Sequence, residues 1–124
     1  MDLEFTDFDY PNSLILEVSV EVTDFEFKTL ASYEARIKND PAKLLKRFKV
    51  NSFWQDFPEN RDDFIKHNDT GKSIREVEKE LLAFIAEHFG DEPAILAGNS
   101  IHSDRSAIKA HWPELDLKLH YRML

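Results

Sequence analysis

Apolar and polar residues alternate along residues 14–22, which is the pattern of a strand with one buried face. The apolar positions are Leu14, Leu16, Val18, Val20 and Val22, and the polar ones include Glu17, Ser19 and Glu21. The mixed stretch 25–37 predicts a second and a third strand after a turn near Thr23 and Asp24. Residues 2–6 predict one more short strand, at the start of the chain.

The clearest helix is predicted over residues 74–89. Ser73 and Glu76 form a capping box ahead of an apolar stripe with helical spacing, and Gly90 follows as a typical helix stop. Asp40 and Pro41 predict a shorter helix through Phe48, with its lysines and Arg47 on a solvated face. Residues 51–67 predict a helix or loop with aromatic anchors, followed by a turn at 68–71.

The last part of the pattern is a strand followed by a helix. The apolar run 94–97 predicts a short buried strand, Gly98 lets the backbone leave it, and a helix is predicted from Ser103 or Asp104 to about His111, where Pro113 ends it. Strands, helices, a strand and a helix in this order predict an α/β domain with a mixed sheet. We expect one domain over residues 1–124.

Composition and charge limit the classes of function. The chain has 124 residues, 42% of them apolar, and no apolar run of the roughly 20 residues that cross a bilayer. It has no cysteine, so disulfides and thiolate metal sites are excluded, and we expect a soluble cytoplasmic protein. The net charge of −8 disfavours long polyanions such as duplex DNA, but it is compatible with divalent cations.

Three carboxylates are the candidate metal ligands. Asp2 and Glu4 lie two residues apart in a predicted strand, so they project from one face and could share Mg²⁺ or Mn²⁺. An exposed chain terminus is the alternative for this pair. Asp104 follows the strand 94–97 near a helix start, where open α/β sheets place ligands, and a simple N-cap aspartate is its alternative.

Four motifs carry a resemblance to a known family. They are DLEFTDFD at 2–9, GNSIHSDR at 98–105, WPEL at 112–115 and HYRML at 120–124. Together they resemble the oligoribonucleases, 3′-to-5′ exonucleases of the DEDDh group with a ribonuclease-H-like fold. The resemblance implies a mixed sheet flanked by helices, and hydrolysis of short oligoribonucleotides to nucleoside monophosphates with two Mg²⁺ or Mn²⁺ ions. It implies that Asp2, Glu4 and Asp104 are the catalytic metal ligands.

The same resemblance implies a substrate site and a homodimer. The implied substrate-binding residues are Thr6, Phe8, Trp54, His67, Ser100 and Tyr121. Phe8 would wedge beside the terminal base, His67 and Ser100 would contact the substrate phosphate, and Tyr121 would reach the site of the other subunit. Core packing is the alternative for the aromatic residues.

The resemblance also implies a third motif, a histidine followed five residues later by an aspartate, beyond the HYR segment. His111 and Asp116 have this spacing, but Pro113 interrupts the helix that the motif requires. We therefore expect an exonuclease-like domain that is incomplete at both ends. The alternative function is a catalytically impaired module, derived from this fold, that binds nucleotides or proteins.

Overall fold

The computed structural model describes residues 1–124 in full. The elements in chain order are β1 (Asp2–Phe5), β2 (Ile15–Thr23), β3 (Thr29–Arg36), α1 (Pro41–Arg47), α2 (Phe53–Asp56), α3 (Pro58–His67), a 3-10 turn (Asn68–Thr70), α4 (Ile74–Phe89), β4 (Ala94–Leu96), α5 (Ile101–His111), α6 (Pro113–Asp116) and β5 (Leu119–Met123). The α/β class expected from the sequence is confirmed.

The strands form two sheets that meet at the start of the chain. β1, β2 and β3 pair antiparallel in that order, whereas β4 and β5 pair parallel. The Met1 amino group donates a hydrogen bond to the Ala97 carbonyl oxygen at 2.9 Å. This contact joins the first residue of the chain to the residue just after β4, and we call it the seam.

One hydrophobic core packs beneath both sheets. It joins the inner faces of the strands to α4, α5 and α6 through buried residues that include Leu3, Val18, Val20, Val77, Leu81, Leu96, Ile108 and Trp112. A smaller cluster of Leu16, Leu44, Phe48 and Trp54 packs α1 and α2 against β2. β2 therefore contributes to both clusters, with Val18 and Val20 in the main core and Leu16 in the smaller cluster.

The outer face of the antiparallel sheet is polar. Across this face Glu4 pairs with Glu17 and Glu17 with Arg36, while Asp2 pairs with Ser19 and Ser19 with Glu34. Antiparallel sheets commonly place one face against the core and the other in water. The alternation read from residues 14–22 is the sequence signature of this arrangement.

Most of the predicted elements are present, and the differences have physical causes. α4 begins after Ser73, whose hydroxyl accepts the Glu76 N–H at 3.1 Å, and Gly90 ends it with a φ of 58°. The stretch 25–37 forms one strand instead of two, because Asp24 accepts the N–H groups of Glu26 and Lys28 and holds 24–28 as a turn. β5 was not expected from the sequence.

No helix of the protein combines the length and the apolar character needed to cross a membrane.

Candidate active site

β1 presents the first two candidate ligands on its outer face. Leu3 is buried in the core, while Asp2 and Glu4 on either side of it are exposed. This is the arrangement that period-two alternation predicts, because neighbouring side chains of a strand point to opposite faces. Glu17 lies opposite Glu4 on β2 and adds a further carboxylate to the same surface.

Asp104 reaches this region from α5. It lies in the first turn of α5 and is only 4% exposed. The N-cap of α5 is Ser100, so the alternative interpretation of Asp104 as an N-cap is wrong. α5 begins at Ile101, about one turn earlier than the sequence suggested, and this places Asp104 inside the helix facing β1.

Gly98 allows the two halves of the site to approach. A Cβ atom at this position would lie 2.8 Å from the Met1 carbonyl oxygen, closer than real Cβ contacts. A glycine therefore permits the loop after β4 to pass directly over the start of β1. The seam depends on this close approach.

Two of the candidate carboxylates, Glu4 and Asp104, have a raised pKa. Burial raises the pKa of Asp104 to about 6, and the charge of Asp2 adds to this effect, against a backbone hydrogen bond from Leu3 that lowers it. Partial desolvation raises the pKa of Glu4 although its side chain is exposed, and the charges of Asp2, Glu17 and Asp104 add to this effect. The charge of Asp2 therefore contributes to the raised pKa of both Glu4 and Asp104, and this contribution relates the three carboxylates electrostatically.

The donor set has the chemistry of a divalent-cation site. Carboxylate oxygens are the ligands that Mg²⁺ prefers, and the ion pairs of the protein leave Asp2, Glu4 and Asp104 without a lysine or arginine partner. The side chains do not form a group of three ligands close enough to hold one ion. Their chemistry fits a cation, but in this conformation they do not form a closed cage.

A cleft of about 310 Å³ adjoins Glu4. Its lining combines the end of β1 with the segment around α2: Leu3, Glu4, Phe5, Thr6, Asp7, Phe8, Asn51, Phe53 and Trp54. Phe8 is 63% exposed and contacts Phe5 edge-to-face, with the ring centroids 5.8 Å apart. The structure therefore brings Glu4, Thr6, Phe8 and Trp54 together around one cavity.

Thr6 and Trp54 are held inside the wall of this cleft. The Trp54 indole N–H donates to the Thr6 carbonyl oxygen at 2.7 Å, and the Thr6 hydroxyl donates to Asp7 and accepts the Leu14 N–H. Both side chains are almost fully buried. These contacts fix the end of β1 against α2.

The other three candidate substrate residues lie outside the cleft. His67 ends α3, where its Nδ1 lies 3.1 Å from an Asp63 carboxylate oxygen. Ser100 is exposed at the start of α5 with a φ of 53°. Tyr121 is exposed on β5, where its ring stacks on His120 with centroids 4.5 Å apart.

His111 and Asp116 each contact other residues. His111 ends α5 and its Nε2 lies 3.5 Å from the Ser13 hydroxyl, whereas Asp116 lies in α6 and pairs with Arg105 at 2.7 Å. Burial lowers the pKa of His111. The two residues belong to different helices, in agreement with the interruption predicted at Pro113.

Sequence reasoning missed the ion pair of Asp7 with Arg47. Arg47 donates two hydrogen bonds to the buried Asp7 carboxylate, at 3.1 and 2.6 Å, so the assignment of Arg47 to a solvated face is wrong. Burial alone would raise the pKa of Asp7, but the hydrogen bonds from Arg47 and Thr6 hold it below its usual value. The partners lie 40 residues apart, so local helical spacing carried no signal for their contact.

Comparison with known proteins places this geometry in context. A family model described as "Exonuclease" matches residues 1–124. The chain is 34% identical to an oligoribonuclease of Corynebacterium diphtheriae over 100% of this chain and 59% of that protein. It is 28% identical to the mitochondrial oligoribonuclease of Mus musculus, over 100% of this chain and 52% of that protein. A probable oligoribonuclease of Caenorhabditis elegans is also 28% identical, and the chain covers 63% of it. The chain thus spans little more than half the length of the first two of these relatives.

Proposed function

Because this chain belongs to the exonuclease family, we propose that its site serves 3′-to-5′ hydrolysis of short oligoribonucleotides to nucleoside monophosphates. The names of the relatives in Corynebacterium and mouse support short RNA as the substrate class. The acidic net charge of −8 also favours short substrates over long polyanions.

One observation carries this proposal. Glu4 shares the outer face of β1 with Asp2, and it also lines the cleft that holds Phe8. A nucleotide in the cleft would therefore have its phosphate beside the carboxylates and its base beside an exposed aromatic ring. A cation held by the carboxylates would assist hydrolysis at the phosphate. An exposed aromatic ring such as that of Phe8 can bind a base by stacking.

We assign the proposed roles of the residues as follows. Asp2, Glu4 and Asp104 would hold Mg²⁺ or Mn²⁺, which supplies charge neutralisation at the phosphate and an activated water when bound. Phe8 would support the terminal base. Thr6 and Trp54 hold the cleft wall in place, as their buried hydrogen bonds indicate.

The remaining candidates complete the proposal. His67 and Ser100 would contact a phosphate beyond the cleft, and Tyr121 would serve the site of a second subunit in a homodimer. The exposure of Ser100 and Tyr121 is compatible with these roles. A cytoplasmic location is part of the same proposal.

The test is a calorimetric titration of Mn²⁺ into the chain and into an Asp104→Ala variant, with cleavage of a labelled short oligoribonucleotide followed in parallel. Lys109→Ala, an exposed change on α5, is the matched control. We expect Mn²⁺ binding and cleavage in the parent chain and in the control, and the loss of both in Asp104→Ala. Binding and cleavage that persist in Asp104→Ala would refute the assignment of the site.

A second candidate function is a nucleotide-binding or protein-interaction module with an impaired site. The observation that favours it is the lack of three ligands close enough to share an ion. Oligoribonucleotide binding to the parent chain without cleavage at any Mn²⁺ concentration would support this alternative over the exonuclease.

A further inference from the structure

The loop after β1 is built around one buried carboxylate. Asp7 is 3% exposed and the next residue, Phe8, is 63% exposed, so the chain turns from the interior into the cleft between these two residues. The Asp7 Oδ1 atom accepts the Asp9 N–H at 3.0 Å, which closes a turn with Phe8 at its centre. The position of Phe8 therefore depends on the position of the Asp7 carboxylate.

Arg47 holds that carboxylate from α1. Its Nη2 and Nε donate to Oδ1 and Oδ2 of Asp7 at 2.6 and 3.1 Å, and such a two-point contact fixes the orientation of a carboxylate as well as its place. The same Nη2 lies 3.7 Å from a carboxylate oxygen of Asp9. Arg47 thus contacts both residues that flank Phe8 in the chain.

The helix that carries Arg47 is anchored by contacts outside this loop. Asp40 caps its first turn by accepting the Lys43 N–H at 3.0 Å. Leu44 and Phe48 are buried in the smaller cluster, on either side of Arg47 in the chain. The guanidinium is therefore presented to the loop by an element that is packed independently of Phe8.

The Phe8 ring itself has only local aromatic contacts. It meets Phe5 and Tyr10 edge-to-face, with centroids 5.8 and 6.3 Å apart. Both partners lie within three residues of Phe8, so these contacts do not connect the ring to α1. The pair of Asp7 with Arg47 supplies that connection.

We propose that Arg47 is a positioning residue of the cleft: through Asp7 it fixes the Phe8 ring where the terminal base of the RNA would bind. The inference rests on the proposed function and deepens it, because it names what sets the affinity for the base. A ring that is held in place beforehand loses less conformational freedom on binding, so the stacked complex is tighter. The acidic partners of Arg47 are Asp7 and Asp9 and not the candidate metal ligands, so Mn²⁺ binding should not depend on it.

Binding of a labelled short oligoribonucleotide with a non-cleavable methylene phosphonate as its terminal linkage tests the inference. Arg47→Met should weaken this binding roughly tenfold, as the loss of one stacked base does, with Mn²⁺ affinity unchanged. Arg47→Lys keeps the charge but not the two-point contact, and should give an intermediate affinity. Arg61→Met removes an exposed pair with Asp62 and is the matched control, with RNA affinity unchanged.

Two further measurements separate positioning from stability. Asp7→Asn combined with Arg47→Met removes both charges, so the urea midpoint should recover toward that of the parent chain. RNA affinity should stay low in this double variant, because the link from the loop to α1 is still missing. Removal of the base from the 3′-terminal nucleotide should weaken RNA binding to the parent chain roughly tenfold and to Arg47→Met hardly at all.

RNA affinity that follows stability, low in Arg47→Met and restored in the double variant, would overturn the inference. Equal losses on base removal in the parent chain and in Arg47→Met would overturn it as well. If Arg47→Met does not fold, the double variant replaces it in the base-removal comparison.

Cleavage of the ordinary RNA is measured in parallel. A parent chain that shows the expected binding pattern but does not cleave would refute the proposed hydrolysis and leave the role of Arg47 standing. A parent chain that binds no RNA would refute both.

Discussion

At the scale of single residues, the most consequential group is the Asp104 carboxylate. It is buried, it lies near other carboxylates, and its pKa is raised to about 6. When a carboxyl group has a higher pKa in the folded chain than in the unfolded chain, its ionisation lowers the free energy of unfolding. The ionised form therefore lowers the stability of the metal-free chain at neutral pH.

Asp104→Asn is predicted to stabilise the metal-free chain by about 2 kcal/mol at pH 7.5, since a pKa shift of that size is a free-energy difference of this order. The gain should vanish near pH 3.5, where the carboxyl is protonated in the folded and unfolded chain alike. Urea unfolding at both pH values measures it. Asp116→Asn is the control with the opposite expected sign at pH 7.5, because Asp116 pairs with Arg105.

Asp7 behaves in the opposite way, because its pKa is lowered in the folded chain. The stability that this pair contributes is fully present above the unfolded pKa of about 4 and is lost as the pH falls through the folded pKa. Arg47→Met should destabilise the chain by about 3 kcal/mol at pH 7, because it leaves Asp7 buried without its partner.

The difference between Arg47→Met and the parent chain should shrink below pH 4. Arg61→Met removes only an exposed pair with Asp62 and should cost less than about 1 kcal/mol at either pH. An equal loss in the two variants would contradict the structural role of the Arg47 pair.

At the scale of secondary-structure elements, local signals were sufficient wherever the structure is local. The cap at Ser73, the glycine at the end of α4 and the alternation along β2 each determine their element over a few residues. The face shared by Asp2 and Glu4 was predictable for the same reason, since it follows from strand geometry alone.

Non-local contacts explain what the sequence did not predict. β5 forms by parallel pairing with β4 more than twenty residues earlier, and Arg47 is held by Asp7 from the loop after β1. The separation of His67 and Tyr121 from the cleft is likewise a matter of tertiary packing. The residue pattern of a single segment carries no information about its contacts with distant segments.

Gly98→Ala is predicted to disturb the candidate site, although Gly98 itself supplies no candidate ligand. The added Cβ would meet the Met1 carbonyl oxygen at 2.8 Å and would push the start of β1 away from the loop after β4. We expect kcat/KM of the proposed reaction to fall roughly tenfold or more, because displacement of catalytic groups by a fraction of an ångström is costly. Mn²⁺ affinity measured by calorimetry should fall with it.

Gly90→Ala provides the matched control for that variant. Gly90 also has a positive φ, but an added Cβ meets no atom within 4 Å. Backbone strain in Gly90→Ala should lower the free energy of unfolding, measured with urea, by about 1 kcal/mol. Mn²⁺ affinity and kcat/KM should be unchanged. A matching loss of Mn²⁺ affinity in both variants would mean that the close approach at Gly98 is not the cause.

At the scale of the whole molecule, the net charge of −8 should make the proposed reaction depend on the length of the RNA. Long RNA is repelled more strongly than short RNA, and salt screens this repulsion. The ratio of kcat/KM for an RNA of about 20 nucleotides to that for one of about 3 should therefore rise as the ionic strength increases from about 0.02 to 0.2 M. A ratio that falls with salt would indicate a local basic track for the longer RNA.

The seam between Met1 and Ala97 has a consequence for the way this molecule opens. Asp2 and Glu4 belong to the antiparallel sheet, whereas Asp104 belongs to α5, which lies between the two strands of the parallel pair in the chain. Amide protons exchange in cooperative units, and we expect the two sheets to be two such units, with the ligands of the site divided between them. A cation held across the seam would couple those units, so slower amide exchange in β4, β5 and α5 on adding Mn²⁺ would report the assembly of the site independently of the proposed hydrolysis.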